Sequence, residues 1–146
     1  MLVYLDNSFL NRPFDDPDVG TNKLEGEVLS LVIKLASQSK VKIVNSSVIE
    51  YENSLNPIPE RKVFVETILK QAKVYQNVDD NIRNQAEHLV KSINISPIDA
   101  LHLACAEAVN VDVFISCDYG IIKKYKGKVR VTTPLEFVNY YNHANK

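Results

Sequence analysis

The sequence predicts an α/β protein with three layers, in which a central, mainly parallel sheet of four or five short strands lies between helices. Short segments rich in β-branched residues alternate with longer segments whose apolar residues recur at helical spacing. The order is strand, helix, strand, several helices, then strand, helix, strand, helix. Strands joined by helical crossovers form a parallel sheet with helices on both faces.

Each element follows from its local pattern. The segments "LVYL", "VKIVN", "VDVFIS" and "VRVT" predict strands at 2–5, 41–45, 111–116 and 129–132. Leu24, Val28, Leu31, Val32 and Leu35 share one helical face, which predicts a helix over 21–38. Similar patterns predict helices at 47–55, 59–73, 79–92, 96–109 and 134–142.

Length and composition indicate one domain over residues 1–146, in the ordinary range for a globular chain. The N-terminal segment "MLVYLDNSFL" does not resemble a signal peptide, and no apolar run approaches the roughly 20 residues that span a bilayer. We therefore expect a cytoplasmic protein without a membrane anchor. Cys105 and Cys117 fall in apolar segments and fit no zinc motif, so we expect them to be reduced core residues.

The charge is balanced overall but unevenly distributed. A net charge of -1 excludes a strongly basic nucleic-acid binder. One basic cluster nevertheless follows the third predicted strand, and it contains Lys123, Lys124, Lys126, Lys128 and Arg130. A solvated helix and turn would explain the cluster as well as a binding surface would.

The predicted helix at 96–109 carries one acid in its first turn. Ser96 is a natural N-cap, Pro97 suits the first helical position, and Asp99 stands where a capping-box acid would sit. The helix is apolar on nearly every face, which predicts burial on two sides. Asp99 therefore has two interpretations, a helix cap or a member of a site.

Other acids are predicted to lie at the same edge of the sheet. Asp6 follows the first strand, Glu50 and Glu52 open the helix after the second, and Asp118 follows the third. Ligands of open parallel sheets bind beyond the carboxyl ends of the strands. Each acid alone fits a cap or a turn, but several together repel one another unless a cation neutralises them. Carboxylates without clustered His or Cys favour Mg²⁺ or Mn²⁺.

These motifs resemble those of the PIN-domain nucleases, including the toxin-like bacterial members. "VYLDNS" resembles the opening motif of that family, "SPIDALHLACA" the third motif and "FISCD" the fourth, while Ser46 to Glu52 resembles the stretch that supplies the second acid. The resemblance extends from Asp6 to "TTPLEFV". It implies a PIN-like fold in which Asp6, Asp99, Asp118 and one glutamate hold the metal and carry catalysis.

The resemblance also ranks the supporting residues. The spacing from Ser47 favours Glu52 over Glu50 as the fourth acid. Ser8 and Ser116 occupy positions where a supporting hydroxyl is expected, although an ordinary turn or strand-end role explains both equally well. His102 is interpreted as a partly buried structural histidine.

The implied activity is Mg²⁺- or Mn²⁺-dependent hydrolysis of RNA. Basic residues beside an acidic pocket would hold the substrate backbone, and the candidates are Arg12, Lys123, Lys124 and Lys126. The family resemblance further suggests the toxin of a toxin-antitoxin pair, an antitoxin partner and a homodimer.

The sequence leaves two other functions open. A catalytically inactive PIN-like RNA-binding or adaptor module is the main alternative. A phosphoacceptor receiver domain fits less well, because "VKIVN" ends without an Asp and "VRVTTP" supplies no Lys.

Overall fold

The computed structural model describes residues 1–145 and confirms the predicted α/β fold. Its five strands are β1 (Leu2–Leu5), β2 (Lys42–Ser46), β3 (Val74–Gln76), β4 (Val113–Ile115) and β5 (Val131–Thr132). Every pairing between them is parallel, and the order across the sheet is β3-β2-β1-β4-β5. The chain therefore adds β2 and β3 on one side of β1, and then β4 and β5 on the other side.

Eight helices accompany the sheet in the described part of the chain. They are α1 (Asn7–Leu10), α2 (Asn22–Ser37), α3 (Ser47–Ser54), α4 (Pro59–Leu69), α5 (Asp80–Ile93), α6 (Pro97–Ala108), α7 (Tyr119–Lys124) and α8 (Pro134–Ala144). A 3-10 turn, Arg12–Phe14, follows α1. Helices α2 and α8 pack together, as do α5 and α6. None of the helices in residues 1–145 combines the length and apolar character needed to cross a membrane.

The core lies around the two central strands. All of β4 and three of the four residues of β1 are buried, and Tyr4 stacks on Phe114 with ring centroids 5.1 Å apart. Helix α6 is buried along most of its length, as its apolar sequence predicts. Its N-terminus begins with Ser96, whose Oγ accepts from Asp99 N at 3.2 Å.

Two elements, β3 and α1, were not predicted, and α7 was expected only as a helix without bounds between the last two strands. Strand β3 lies at the edge of the sheet with no buried residue, so it lacks the apolar alternation that marks a half-buried strand. Helices α1 and α7 have four and six residues, too few to show a period. The prediction for α4 was too long, because the helix ends at Leu69 and the chain then turns into β3.

Candidate active site

Asp6 lies at the centre of the carboxyl edge, between β1 and α1. Its carboxylate is only 4% exposed and caps α1 by accepting from Asn7 N at 2.9 Å. Its second oxygen, Oδ2, accepts from Ser8 Oγ at 2.9 Å and from Ser116 Oγ at 2.7 Å. Three donors therefore hold the buried carboxylate in one orientation, which also satisfies its hydrogen-bonding requirement.

Ser116 connects Asp6 with Asp118 across adjacent strands. Its buried Oγ donates to Asp6 and accepts from Asp118 N at 2.9 Å. Asp118 in turn caps α7, since its Oδ1 accepts from Gly120 N at 2.8 Å. Ser8 makes a parallel connection by accepting from Cys117 N at 3.1 Å. Both hydroxyls therefore contact the acidic site directly.

Asp99 reaches the same group of acids from the first turn of α6. Partial burial raises the pKa of its carboxyl group, and the negative charges of Asp6 and Asp118 raise it further. Ser96 caps the helix through its own side chain. The cap and the acid are therefore separate functions of one turn, because Ser96 supplies the cap and Asp99 adds charge to the site.

Glu52 faces the acids, whereas Glu50 does not. Glu52 Oε1 lies 2.7 Å from His102 Nε2, and its side chain is 27% exposed. Glu50 is exposed and accepts from Tyr75 OH at 2.9 Å and from Asn45 Nδ2 at 3.3 Å. Two residues along a helix rotate a side chain by more than half a turn, which separates the two carboxylates.

Behind Glu52 a chain of hydrogen bonds runs into the core. His102 Nδ1 lies 2.7 Å from Tyr4 OH, which lies 2.8 Å from Ser46 Oγ, and all three residues are fully buried. Ser46 Oγ also caps α3 by accepting from Ile49 N at 3.1 Å. His102 is thus completely buried, and the expectation of partial burial was wrong.

The donors in this series of hydrogen bonds can be assigned by starting from the Glu52 carboxylate. An imidazole with its proton on Nε2 donates to the Glu52 carboxylate and accepts at Nδ1 from Tyr4 OH. Burial raises the pKa of Tyr4 well above its usual value, so its hydroxyl keeps its proton. Ser46 then donates to Tyr4. The contacts at both ring nitrogens hold the imidazole of His102, and the imidazole in turn orients the Glu52 carboxylate.

The site has the donor set of a divalent-cation centre. Asp6, Glu52 and His102 each offer an atom, and these atoms lie within 4.8 Å of one another. Asp99 and Asp118 stand outside that compact group, but Asp99 is close enough for the charges of Asp6 and Asp118 to act on it. Because Glu52 occupies His102 Nε2, the free donors are carboxylate oxygens, which suit Mg²⁺ or Mn²⁺.

The candidate substrate-binding residues lie in two places. Arg12 lines a cleft that also contains Ser8 and Glu52. Lys123 and Lys124 are exposed in the last turn of α7, where Lys124 Nζ donates to Asn94 O at 3.0 Å. Exposed Lys126 follows α7. The structure therefore places Arg12 beside the acids and the lysines on the far end of the helix that Asp118 begins.

The match to a family model decides the classification of the chain. The model of the PIN domain matches residues 3–127, which includes every acid of the site. This protein belongs to the PIN domain family. No curated protein matches the sequence. A solved structure similar to this PIN domain is that of VapBC2 from Rickettsia felis bound to a DNA fragment from their promoter.

That structural similarity concerns the fold. The TM-score is 0.60, and the alignment covers 91% of this chain and 98% of the other at 16% identity. At such identity the shared arrangement of strands and helices is established. The likeness therefore supports the PIN-like fold inferred from "VYLDNS", "SPIDALHLACA" and "FISCD".

Sequence reasoning missed two features of the site. The first is the series of hydrogen bonds through Tyr4 and Ser46, which lie 42 positions apart, so no local sequence pattern predicts their contact. Arg61, on α4, lines the same cleft as Arg12. A signal for Arg61 existed only in its charge, which is common on an exposed helix.

Proposed function

We propose that this PIN domain is a metal-dependent endoribonuclease that hydrolyses phosphodiester bonds of RNA. The observation that carries the proposal is the group formed by Asp6 and Glu52 beside Asp99 and Asp118, at the carboxyl edge of the sheet. The acids are buried or half-buried, and burial together with the charges of Asp6 and Asp118 raises the pKa of Asp99. Without a cation, the repulsion between these carboxylates destabilises the fold. Membership of the PIN domain family separately supports a nuclease function.

Asp6, Glu52, Asp99 and Asp118 would hold Mg²⁺ or Mn²⁺. A divalent ion in this place lowers the pKa of a bound water and neutralises charge on a phosphate. The protein's own contribution is orientation. Ser8 and Ser116 fix the Asp6 carboxylate, and His102 fixes Glu52.

Glu52 is our candidate for the group that orients or deprotonates the attacking water. His102 Nε2 lies 2.7 Å from Oε1, and no donor in residues 1–145 contacts Oε2. The Glu52 side chain is 27% exposed and is held by His102, so it has the access to solvent that a general base needs. Asp6 is too buried and too fully hydrogen-bonded for that role.

The test compares two glutamates on one helix. Wild type, Glu52→Gln, Glu50→Gln and Asp6→Asn proteins are incubated with a mixed RNA pool in Mn²⁺ and in EDTA. Wild type and Glu50→Gln are expected to cleave in Mn²⁺ only, while Glu52→Gln and Asp6→Asn lose activity by a factor of about 100 or more. Glu50→Gln is the matched control because its carboxylate contacts Tyr75 instead of the site.

Metal binding is measured separately from cleavage. Mn²⁺ is expected to raise the melting temperature of wild type and Glu50→Gln, and to raise that of Asp6→Asn much less. Equal cleavage by wild type and Asp6→Asn would contradict the catalytic assignment. A Mn²⁺ effect on stability without cleavage would favour the inactive RNA-binding or adaptor module.

We further propose that the protein acts as the toxin of a toxin-antitoxin pair, forms a homodimer and is bound by an antitoxin. The support is the PIN family together with the similarity to a VapBC complex. Expression of wild type in a bacterial host is then expected to arrest growth, and expression of Asp6→Asn is not. Growth unaffected by an active nuclease would instead favour RNA processing. Light scattering measures the oligomeric state, and the proposed homodimer is expected to have twice the mass of one chain.

A further inference from the structure

A cleft beside the acidic site contains two arginines that have no part in the acid cluster. Its volume is about 380 Å³, and it runs from Ser8 and Glu52 to the 3-10 turn and α4. We propose that this cleft is a phosphate subsite for single-stranded RNA, in which Arg12 and Arg61 hold the backbone next to the bond that is cut. The inference rests on the proposed ribonuclease function and deepens it.

Asp15 brings the two guanidinium groups together. Arg12 Nη1 donates to Asp15 Oδ2 at 2.9 Å, and Arg61 Nη1 lies 3.9 Å from Asp15 Oδ1. The two side chains are only 19% and 28% exposed, so both are held rather than extended into solvent. Their side-chain entropy is largely lost before a ligand arrives, which favours binding.

Each arginine has a second anchor that fixes its plane. Arg12 Nε lies 3.4 Å from the Glu25 carboxylate, which is itself buried. Arg61 Nη2 donates to Phe14 O at 2.9 Å, and its guanidinium carbon lies 5.5 Å from the centre of the Phe14 ring. A guanidinium carries five N–H donors, so both groups retain donors for a ligand in the cleft.

The chemistry of these groups favours a phosphate. A planar guanidinium forms paired hydrogen bonds with phosphate oxygens, and two of them side by side can hold one phosphate from two directions. An acidic site repels the RNA backbone, so the attractive contacts must lie beside it, as this cleft does. The cleft has the volume of a small-molecule site, about 380 Å³, which leaves room for a phosphodiester group of one strand.

Arg61 is the better residue to change. Removing Arg12 would leave the buried Glu25 carboxylate without its cation, which would destabilise the fold. Arg61 faces only a carbonyl, a ring and the distant oxygen of Asp15. Arg83 on α5 is the matched control, because it is 63% exposed and pairs only with Asp80 among the described residues.

The experiment measures RNA binding without cleavage. The full-length Asp6→Asn protein binds a fluorescein-labelled, mixed-sequence, single-stranded RNA, and fluorescence anisotropy is recorded over a range of NaCl concentrations. Adding Arg61→Gln is expected to weaken binding about tenfold and to reduce the slope of log affinity against log salt by about 0.7, the value for one phosphate contact on a single strand. Adding Arg83→Gln is expected to change neither.

A conservative variant separates charge from geometry. Arg61→Lys keeps the positive charge but loses the paired N–H donors of the guanidinium and its contact with the Phe14 ring. We therefore expect weaker binding than in the parent protein, with the same salt slope. Melting temperatures verify that each variant is folded. The Mn²⁺-induced rise in melting temperature of Arg61→Gln, measured with Asp6 intact, is expected to equal that of wild type.

Two outcomes distinguish failure of this inference from failure of the proposed function. Suppose that wild type cleaves RNA but that adding Arg61→Gln to the Asp6→Asn protein changes neither the affinity nor the salt slope. This result overturns the subsite and leaves the proposed nuclease function intact. No binding by any variant and no cleavage by wild type overturns both. The subsite for single-stranded RNA is also overturned if a duplex RNA binds as tightly as the single strand and if Arg61→Gln weakens both kinds of binding equally.

Discussion

Replacing Tyr4 with Phe tests whether the buried chain behind Glu52 stabilises the fold and orients the site. The substitution removes one hydroxyl from a fully buried ring and leaves its stacking on Phe114 in place. It deletes the hydrogen bonds to His102 Nδ1 and Ser46 Oγ. Ser46 still caps α3 through Ile49 N, so the helix boundary is expected to remain.

The magnitude follows from the two lost hydrogen bonds and the group left behind. Each bond contributes about 0.5–1.5 kcal/mol net, and an unsatisfied buried acceptor such as His102 Nδ1 adds to the cost. The free energy of unfolding is therefore expected to fall by about 2–4 kcal/mol. For a chain of this length that corresponds to about 4–16 °C in melting temperature.

The control is the same substitution at an exposed tyrosine. Tyr75 is 53% exposed, and its hydroxyl donates to Glu50. Tyr75→Phe is expected to change stability by no more than about 0.5 kcal/mol. Urea denaturation followed by circular dichroism gives the free energy of unfolding for wild type and both variants.

The same variant also reports on the orientation of Glu52. Without the Tyr4 hydroxyl, the imidazole of His102 loses its contact at Nδ1 and is less firmly held, so it constrains the Glu52 carboxylate less. Loss of such a supporting contact lowers metal affinity about 10- to 100-fold. Each tenfold loss removes about 1.4 kcal/mol of Mn²⁺-linked stabilisation. A Tyr4→Phe protein as stable as Tyr75→Phe, with an unchanged response to Mn²⁺, would refute the reasoning.

Two further predictions concern titration and thiol reactivity. Burial and the charges of Asp6 and Asp118 raise the pKa of Asp99, so the folded, metal-free protein binds this proton more tightly than the unfolded chain does. Ionisation of Asp99 therefore costs stability as the pH rises through the folded pKa, and in EDTA at pH 7 Asp99→Asn is expected to melt higher than wild type. The difference should disappear below the ordinary value of 3.8, and a lower melting temperature at pH 7 would contradict this account. Burial raises the pKa of Cys105 and of Cys117 to about 12, so iodoacetamide at pH 8 is expected to alkylate neither in the folded protein and both in urea; rapid labelling of the folded chain would show that the thiols are accessible.

The elements predicted from the sequence are those with a strong apolar pattern. Strands β1 and β4 are mostly buried, and α6 is buried along most of its length. Of the predicted face of α2, Val28, Val32 and Leu35 are buried, whereas Leu24 and Leu31 are exposed because the buried stripe instead includes Leu29. β3 was missed because an edge strand without buried residues is defined by its hydrogen bonds to β2, which the sequence does not show. The short helices α1 and α7 are set by the caps Asp6 and Asp118.

The positions of the acids were determined by the sequence, because each comes at the end of a strand or the start of a helix. Parallel strands end at one edge, so Asp6 and Asp118 had to meet there. The spacing from Ser47 favoured Glu52 over Glu50, but only the tertiary structure decided which side chains each glutamate contacts. It directs Glu52 to His102 and Glu50 to Tyr75, and it brings Arg61 to the cleft of Arg12. The physical reason is that periodicity fixes the element on which a side chain lies, while its partners depend on how distant elements pack.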